Sequence, residues 1–202
     1  MYTLKAIILP TGTTSTSENM AYFCPCCKFA VLPYGLTSTA STNQAFGNNY
    51  SLIAAPIPST VTYLRSGMFS GCVNIKNAYI PNATTSCVIQ QMHQNGYGLE
   101  YAYFDHGFTN GPFSNCANIK RVDFSRNVAE IASSSFTSLR SCEIYDFTDC
   151  QSIPVLSNTN AFDNISALCK IVVPDSLYAS WKTATNWVAL ADYIYKASEV
   201  TL

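Results

Sequence analysis

Large apolar residues recur along this chain at one interval. Phe23, Phe46 and Phe69 are evenly spaced, Met92 falls on the next step, and Phe113 and Phe136 repeat the interval, with Phe162 as the last anchor. Six residues after the anchors stand Phe29, Leu52, Ile75, Ile119, Cys142 and Leu168. Nine after Phe69, Phe113 and Phe162 come Ala78, Val122 and Ile171, and eleven after the anchors come Ile57, Ile80, Phe124, Phe147 and Val173. Residues two apart share one face of a strand, so each unit predicts one short strand with its apolar face turned inward. A unit of about 23 residues is one coil of a leucine-rich solenoid. A single coil cannot bury its apolar side, so the coils are expected to stack, their strands forming a parallel ladder and their anchors filling the column behind it. Val61 with Leu64, and Val128 with Ile131, predict the second wall.

The ends carry their own signals. Ile7-Ile8-Leu9-Pro10 lies one full repeat before Ala30-Val31-Leu32-Pro33 and matches it apolar for apolar and proline for proline, which predicts the first strand of the stack. The same stretch has no basic leader, sufficiently long apolar region or cleavage site, so it does not read as a secretory signal. At the other end, Asp175 or Ser176 is expected to cap a helix starting at Leu177, with Leu177 and Trp181 on one face. Asn186 interrupts it, and a second helical segment is expected from Trp187 to Lys196. Trp181 and Trp187 are assigned to closing the open end of the column. The organisation is one structural domain: a solenoid over 1–174 and a helical cap over 175–202.

Two units laid over each other sharpen the assignment: Phe69-Ser-Gly-Cys72-Val-Asn-Ile75 and Phe113-Ser-Asn-Cys116-Ala-Asn-Ile119. Ile57-Pro58, Ile80-Pro81 and Val173-Pro174 close their strands with an apolar-proline pair. In these features, from about residue 20 onward, the chain resembles the BspA-type leucine-rich repeat family. The stretch from Lys170 to Trp187 looks like the closing module of such proteins from gut bacteria and their phages. The resemblance implies a solenoid that acts in adhesion and surface recognition. Departures are Tyr34-Gly35 where a pair is due, with Pro33 one place early, and a broken fourth unit.

Composition narrows the partners. Of the 202 residues 48% are apolar and only 11% charged, against roughly a quarter charged in average soluble domains, so Ser, Thr, Asn, Gln and Tyr must supply the polar surface. A net charge of -1 with no Lys/Arg-lined face gives no reach toward phosphate backbones, and nucleic acid is not expected as a partner. No run of eighteen apolar residues suggests membrane insertion.

The nine cysteines read as thiols, because a disulfide framework favours an even count in a short chain. Cys26, Cys72 and Cys116 lie three residues after an anchor and Cys142 at an Ile/Leu position, so these are expected in the core. Cys24-Pro-Cys26-Cys27 could bind a metal or form a disulfide, but no second Cys or His pair follows at zinc spacing; no metal or cofactor is assigned. Catalysis finds no constellation either. Pairing Cys87 or Cys116 with His93 or His106 and Asp105 lacks an oriented base, and no phosphate loop or nucleophile elbow is present. The chain reads as non-enzymatic.

The irregular fourth unit is the candidate binding segment. Between Met92 and Phe113 the interval shortens by two places, and His93, Tyr97, Glu100, Tyr101, Tyr103, Asp105 and His106 gather there with several glycines, the composition of recognition loops. A decayed repeat that only closes over its neighbours explains the same stretch. A second deviation, Ser152 to Asn160, lengthens the unit before Phe162 by three places and is expected to serve the cap. Two function classes stay open. One is a recognition module presenting a neutral Tyr/Ser/Thr/Asn face to a protein or glycan on a host cell, on a virion or on a bacterial surface. The other is a structural subunit whose face docks on another virion protein, as a capsid decoration, head fibre or tail component. The missing leader favours the virion setting, and self-association fits either.

Overall fold

The computed structural model describes residues 4–38, 44–62, 68–80, 98–105, 113 and 116–202. The main sheet consists of β3 (Asn77–Ile80), β4 (Tyr101–Phe104), β5 (Arg121–Phe124), β7 (Ile144–Asp146), β9 (Lys170–Val173) and β10 (Ile194–Lys196), all parallel and neighbours in that order. Two pairs complete it: β1 (Ala6–Ile8) with β2 (Phe29–Val31), and β6 (Glu130–Ile131) with β8 (Val155–Leu156). The solenoid expected from the repeat is present. β1 pairs with β2 in the register Ala6 to Phe29, the same offset as that between the two Leu-Pro pairs.

Each rung aligns the inward residues of successive coils. Ala78, Ala102, Val122, Tyr145, Ile171 and Ile194 form one buried row, and Ile80, Phe104 and Phe124 lead a second. Phe124 stacks on Phe104 at 5.8 Å and on Phe147 at 4.0 Å. Behind them Phe136 meets Phe104, Phe124, Tyr145 and Phe162. Full burial of such side chains contributes about 1.5–3 kcal/mol each, so the column is where the stability lies. Phe46, Phe69, Phe113, Phe136 and Phe162 are buried as expected, and Val61, Val128 and Ile131 form the return wall.

The first repeat is corrected by two residues. Phe23 is 55% exposed at φ 54°, a region bulky residues rarely adopt, and Phe29 is also exposed. Ala21 holds the anchor site, with its N–H bonded to Ala45 C=O at 2.9 Å as Phe46 is to Met68 and Phe136 to Ala161. Cys27 fills the leucine site, so Cys26 is exposed rather than in the core. The shift removes the apparent departure, because Leu32-Pro33 now stands eleven residues after its anchor, as Ile57-Pro58 does. What stabilises it is Asn49, wholly buried where Cys72 and Cys116 sit in later coils. Its Nδ2 donates to Ala21 O at 2.8 Å and Phe46 O at 2.9 Å, and its Oδ1 accepts from Cys24 N–H.

The last repeat is corrected at one site: Leu168 is 83% exposed and Cys169 is buried instead, while Ile171 and Val173 keep their expected inward places. The fourth coil is one residue out of the Met92 frame. Leu99, Ala102 and Phe104 are the buried set, each one place later than even spacing from Ile75, Ala78 and Ile80 would put it, while Met92 lies outside the described residues.

The cap differs in type from the expected two helices. Asp175–Leu177 forms a 3-10 turn, α1 covers only Tyr178–Trp181, and Trp187–Tyr193 is 3-10. Neither Asp175 nor Ser176 caps α1; Asp175 instead accepts from Ser198 N–H at 3.0 Å. Ile194–Lys196 leaves the helical pattern and joins β9 as β10, since its alternate apolar residue extends the inward row. Asn186 does interrupt the helix, at φ 64°. Trp181 and Trp187 are both buried, against Phe147 and Phe162. The insertion at 152–160 serves this closure, as expected: Pro154 O accepts from Trp187 Nε1–H at 2.8 Å and Leu156 O from Asn186 Nδ2 at 2.7 Å.

Candidate recognition face

Strand periodicity that turns one residue inward turns the next outward, so the ladder displays a second set of rows on its open face. Tyr79 and Tyr103 face outward at one rung of β3 and β4, followed by Asp123 on β5 and Asp146 on β7. The neighbouring row runs Asn77, Tyr101, Arg121, Ile144 and Lys170. A third, just ahead of the strands, alternates in charge: Lys76 pairs with Glu100 at 2.5 Å and Lys120 with Glu143 at 3.3 Å. These last pairs are more than half exposed and contribute little stability. Their backbones carry the rungs, Glu100 N–H to Lys76 O, Lys120 to Glu100, Glu143 to Lys120 and Lys170 to Glu143.

The polar centre of the face is one connected network. Tyr101 Oη–H donates to Asp123 Oδ2 at 2.9 Å, Arg121 Nε–H to Asp123 Oδ1 at 2.6 Å, and an Arg121 terminal N–H to Asp146 Oδ2 at 2.8 Å. Asp146 is further fixed by Thr148 N–H at 2.9 Å. Partial burial, then the Asp123 carboxylate, raises the Tyr101 phenol well above its ordinary range, so it acts as a donor at neutral pH. Burial, and after it the charge of Asp105, raises Tyr103 in the same sense. The hydrogen bond to Asp123 raises Arg121 further. The network therefore holds a guanidinium in one orientation.

Toward the N-terminus the face becomes apolar. Ile8, Phe29, Val31 and Ile53 are all exposed, with Phe29 and Val31 in register with Ala6 and Ile8. The sheet is interrupted here. Phe29 bridges Ala54, but no ladder joins residues 53–57 to β3 among the described residues, and Pro56 has no N–H to offer. A cleft of about 200 Å³ opens at the break, lined by Ile53, Ala54, Pro56, Ile57, Ala78 and Tyr79.

Of the residues expected to bind, the structure brings Tyr101 and Tyr103 onto this face and Glu100 to its rim. Asp105 lies at the far end of β4, its Oδ1 accepting from Asn127 Nδ2 at 3.3 Å. His93, Tyr97 and His106 lie outside the described residues. Tyr79, Arg121, Asp123 and Asp146 were not singled out from sequence. Their signal was present, since each sits one residue from a core position in its coil, but outward positions follow no apolar rule that would mark them. Among the described residues no group of three His, Cys, Asp or Glu side chains could hold a metal ion, and no helix is long and apolar enough to cross a membrane.

Comparison with known proteins addresses the fold. The profile of the BspA type leucine rich repeat region matches residues 1–96 and 107–186, in six copies. No curated protein sequence matches the chain. Among solved structures it is similar to the leucine rich repeat protein of T. pallidum, with 14% identity, TM-score 0.54, and 70% of this chain and 79% of that one covered. A leucine-rich repeat protein from Bacteroides ovatus gives 16% identity, TM-score 0.55, and coverage of 96% of this chain and 66% of that one. A leucine rich cell surface protein from Faecalibacterium prausnitzii gives 19% identity and TM-score 0.47 over 73% of this chain and 33% of that one. At these identities the first two likenesses show the fold, and this chain spans about two-thirds of the Bacteroides protein's length. With the repeat, its phase and the profile match agreeing over most of its length, the chain belongs to the BspA-type leucine-rich repeat family.

Proposed function

We propose that this protein is a non-enzymatic recognition module that binds a protein partner at a cell or virion surface through the open face of its ladder. One observation supports this above others: the face joins an exposed apolar half, with a cleft sized for a single apolar side chain, to a half where Tyr101, Asp123, Arg121 and Asp146 are held in a fixed network. Apolar centres with Tyr and Arg anchors and a polar rim are how protein interfaces are built. A glycan would use the tyrosines, but exposed Ile8, Val31 and Ile53 offer nothing to sugar hydroxyls. A surface setting accords with a family whose proteins are often adhesion-related.

The test is binding of the fluorescently labelled protein to epithelial cells, to bacteria and to phage particles, each untreated, protease-treated or periodate-treated. Loss after protease and retention after periodate is the expected result, with Tyr79→Ala and Arg121→Ala each reducing binding. The reverse pattern of sensitivity would replace the protein partner by a glycan. Immunogold labelling of producing cells and their released particles then decides between envelope and virion.

A further inference from the structure

We propose that the break in the sheet takes an extended segment of the protein partner, which pairs along the open edge of β3 and sets one apolar side chain in the cleft. The inference rests on the recognition reading above and specifies the form of its partner. Elsewhere successive coils are joined just ahead of their strands by one repeated backbone bond: Lys28 N–H to Lys5 O, Ile53 to Lys28, Glu100 to Lys76, Lys120 to Glu100, Glu143 to Lys120 and Lys170 to Glu143. Among the described residues the step from Ile53 to Lys76 lacks this bond, and β3 ends the six-stranded sheet. The same two coils stay joined on the anchor side, through Phe46 N–H to Met68 O at 3.0 Å and Asn48 N–H to Ser70 O at 2.8 Å. They part at the strands.

The backbone dictates what fits there. In a parallel ladder the bonds are evenly spaced along a strand, alternate residues serving opposite neighbours. β4 uses the C=O groups of Lys76 and Ile80, which accept from Tyr101 N–H at 3.2 Å and Asp105 N–H at 3.1 Å. Asn77 and Tyr79, on the alternate positions, therefore turn their N–H and C=O toward the cleft. On its other side Ile53 N–H and Ala54 O are taken by the second coil, at Lys28 O and Ala30 N–H. An open strand edge is a template for a further strand, whose main chain supplies affinity and whose alternate side chains supply specificity. The cleft of about 200 Å³, lined by Ile53, Ala54, Ile57 and Ala78, receives one of those side chains. Seating the backbone beside β3 spreads the strand side further, about the anchor-side bonds. Exposed Lys28 and Lys76 flank the site, so charge complementarity favours an acidic residue next to the apolar stretch of the segment.

Amide exchange followed by NMR on the full chain tests the edge. In the free protein the amides of Asn77 and Tyr79 should exchange rapidly while those of Ala78 and Ile80 stay protected; equal protection of all four means a closed sheet and overturns the proposal. Adding the synthetic peptide Asp-Val-Leu-Val-Thr should slow exchange at Asn77 and Tyr79, and the same peptide methylated on alternate amides should not. No slowing, or equal slowing by both peptides, overturns it as well. In the cell-binding assay Asn77→Pro, which deletes one edge N–H at a position where an edge strand tolerates proline, should lose the protease-sensitive binding relative to Asn77→Ala, which keeps the N–H. If Asn77→Pro binds as Asn77→Ala does, the added strand is refuted and the recognition reading stands. If the wild-type chain shows no protease-sensitive binding while the peptide still protects both amides, the recognition reading fails and the open edge stands. Should Asn77→Pro not fold, the peptide comparison decides alone.

Discussion

Tyr79 and Tyr103 stack across β3 and β4 with ring centroids 4.9 Å apart and planes 3° from parallel. Tyr79 is 57% exposed and borders the cleft at the break in the sheet, so the pair presents a broad aromatic surface where the face changes from apolar to polar.

Because the stack lies outside the column, removing it separates recognition from stability. Tyr79→Ala should shift the unfolding free energy by no more than the roughly 0.5–1.5 kcal/mol of an aromatic pair, read by denaturant titration. Binding to the protease-sensitive partner should fall about tenfold or more if Tyr79 is an anchor of the interface. Unchanged binding with intact folding would remove the stack from the site.

Two phenylalanines of one repeat series should behave oppositely. Phe136→Ala empties a fully buried position against the rings of Phe104, Phe124, Tyr145 and Phe162 and should cost about 3–5 kcal/mol. Phe23→Ala removes an exposed ring whose described aromatic contact is edge-on to Tyr50 at 5.9 Å, and should stay within about 0.5 kcal/mol. Chemical denaturation of the two variants side by side checks the corrected register.

The cap offers a narrower test. Trp187→Phe keeps a ring against Phe147 and Phe162 but deprives buried Pro154 O of its donor. A loss of about 1–3 kcal/mol follows from one unsatisfied buried acceptor, against about 3–5 kcal/mol for Trp187→Ala, which also opens the end of the column. Melting curves of the two should therefore be clearly separated.

At high pH the protein should lose stability in a defined window. Burial above all pushes the Cys72 and Cys150 thiols from the ordinary 9.0 up to about 12. The unfolded chain ionises these groups from pH 9 upward while the fold keeps them protonated. Their contribution is complete below pH 9 and is lost as the pH rises toward 12. Tyr101 and Tyr145, raised by burial above the ordinary 10.0, act in the same direction. Denaturant midpoints from pH 8 to 11 should fall, and absorbance-detected phenol titration should show tyrosines that resist ionisation at pH 10. Exposed Cys26 should be alkylated far faster than Cys72 at pH 8.5.

The outcome of the repeat at Phe23 shows where a pattern stops being decisive. Even spacing and size both point to Phe23 as the first anchor, and Ala21 stands two places early. The choice turns on Asn49, whose side chain binds Ala21 O and Phe46 O and so sets the coil two residues earlier. Leu168 repeats the lesson: interval and size favour it for the interior, yet Cys169 is the residue that is buried.

What the sequence determined by itself is the periodic part. Apolar residues at one spacing have a single way to bury together, so the stacked coils, the inward rows, a first strand at the Ile7-Ile8 run and the closing tryptophans could be read from residue type and interval. Only the tertiary structure decided which outward side chains meet. Arg121 and Asp123 share one face of β5, but Asp146 reaches Arg121 from the next coil, and Tyr79 meets Tyr103 from the next coil. Outward positions obey no burial rule, and their partners are set by the lateral register between strands, which exists only once the ladder has formed.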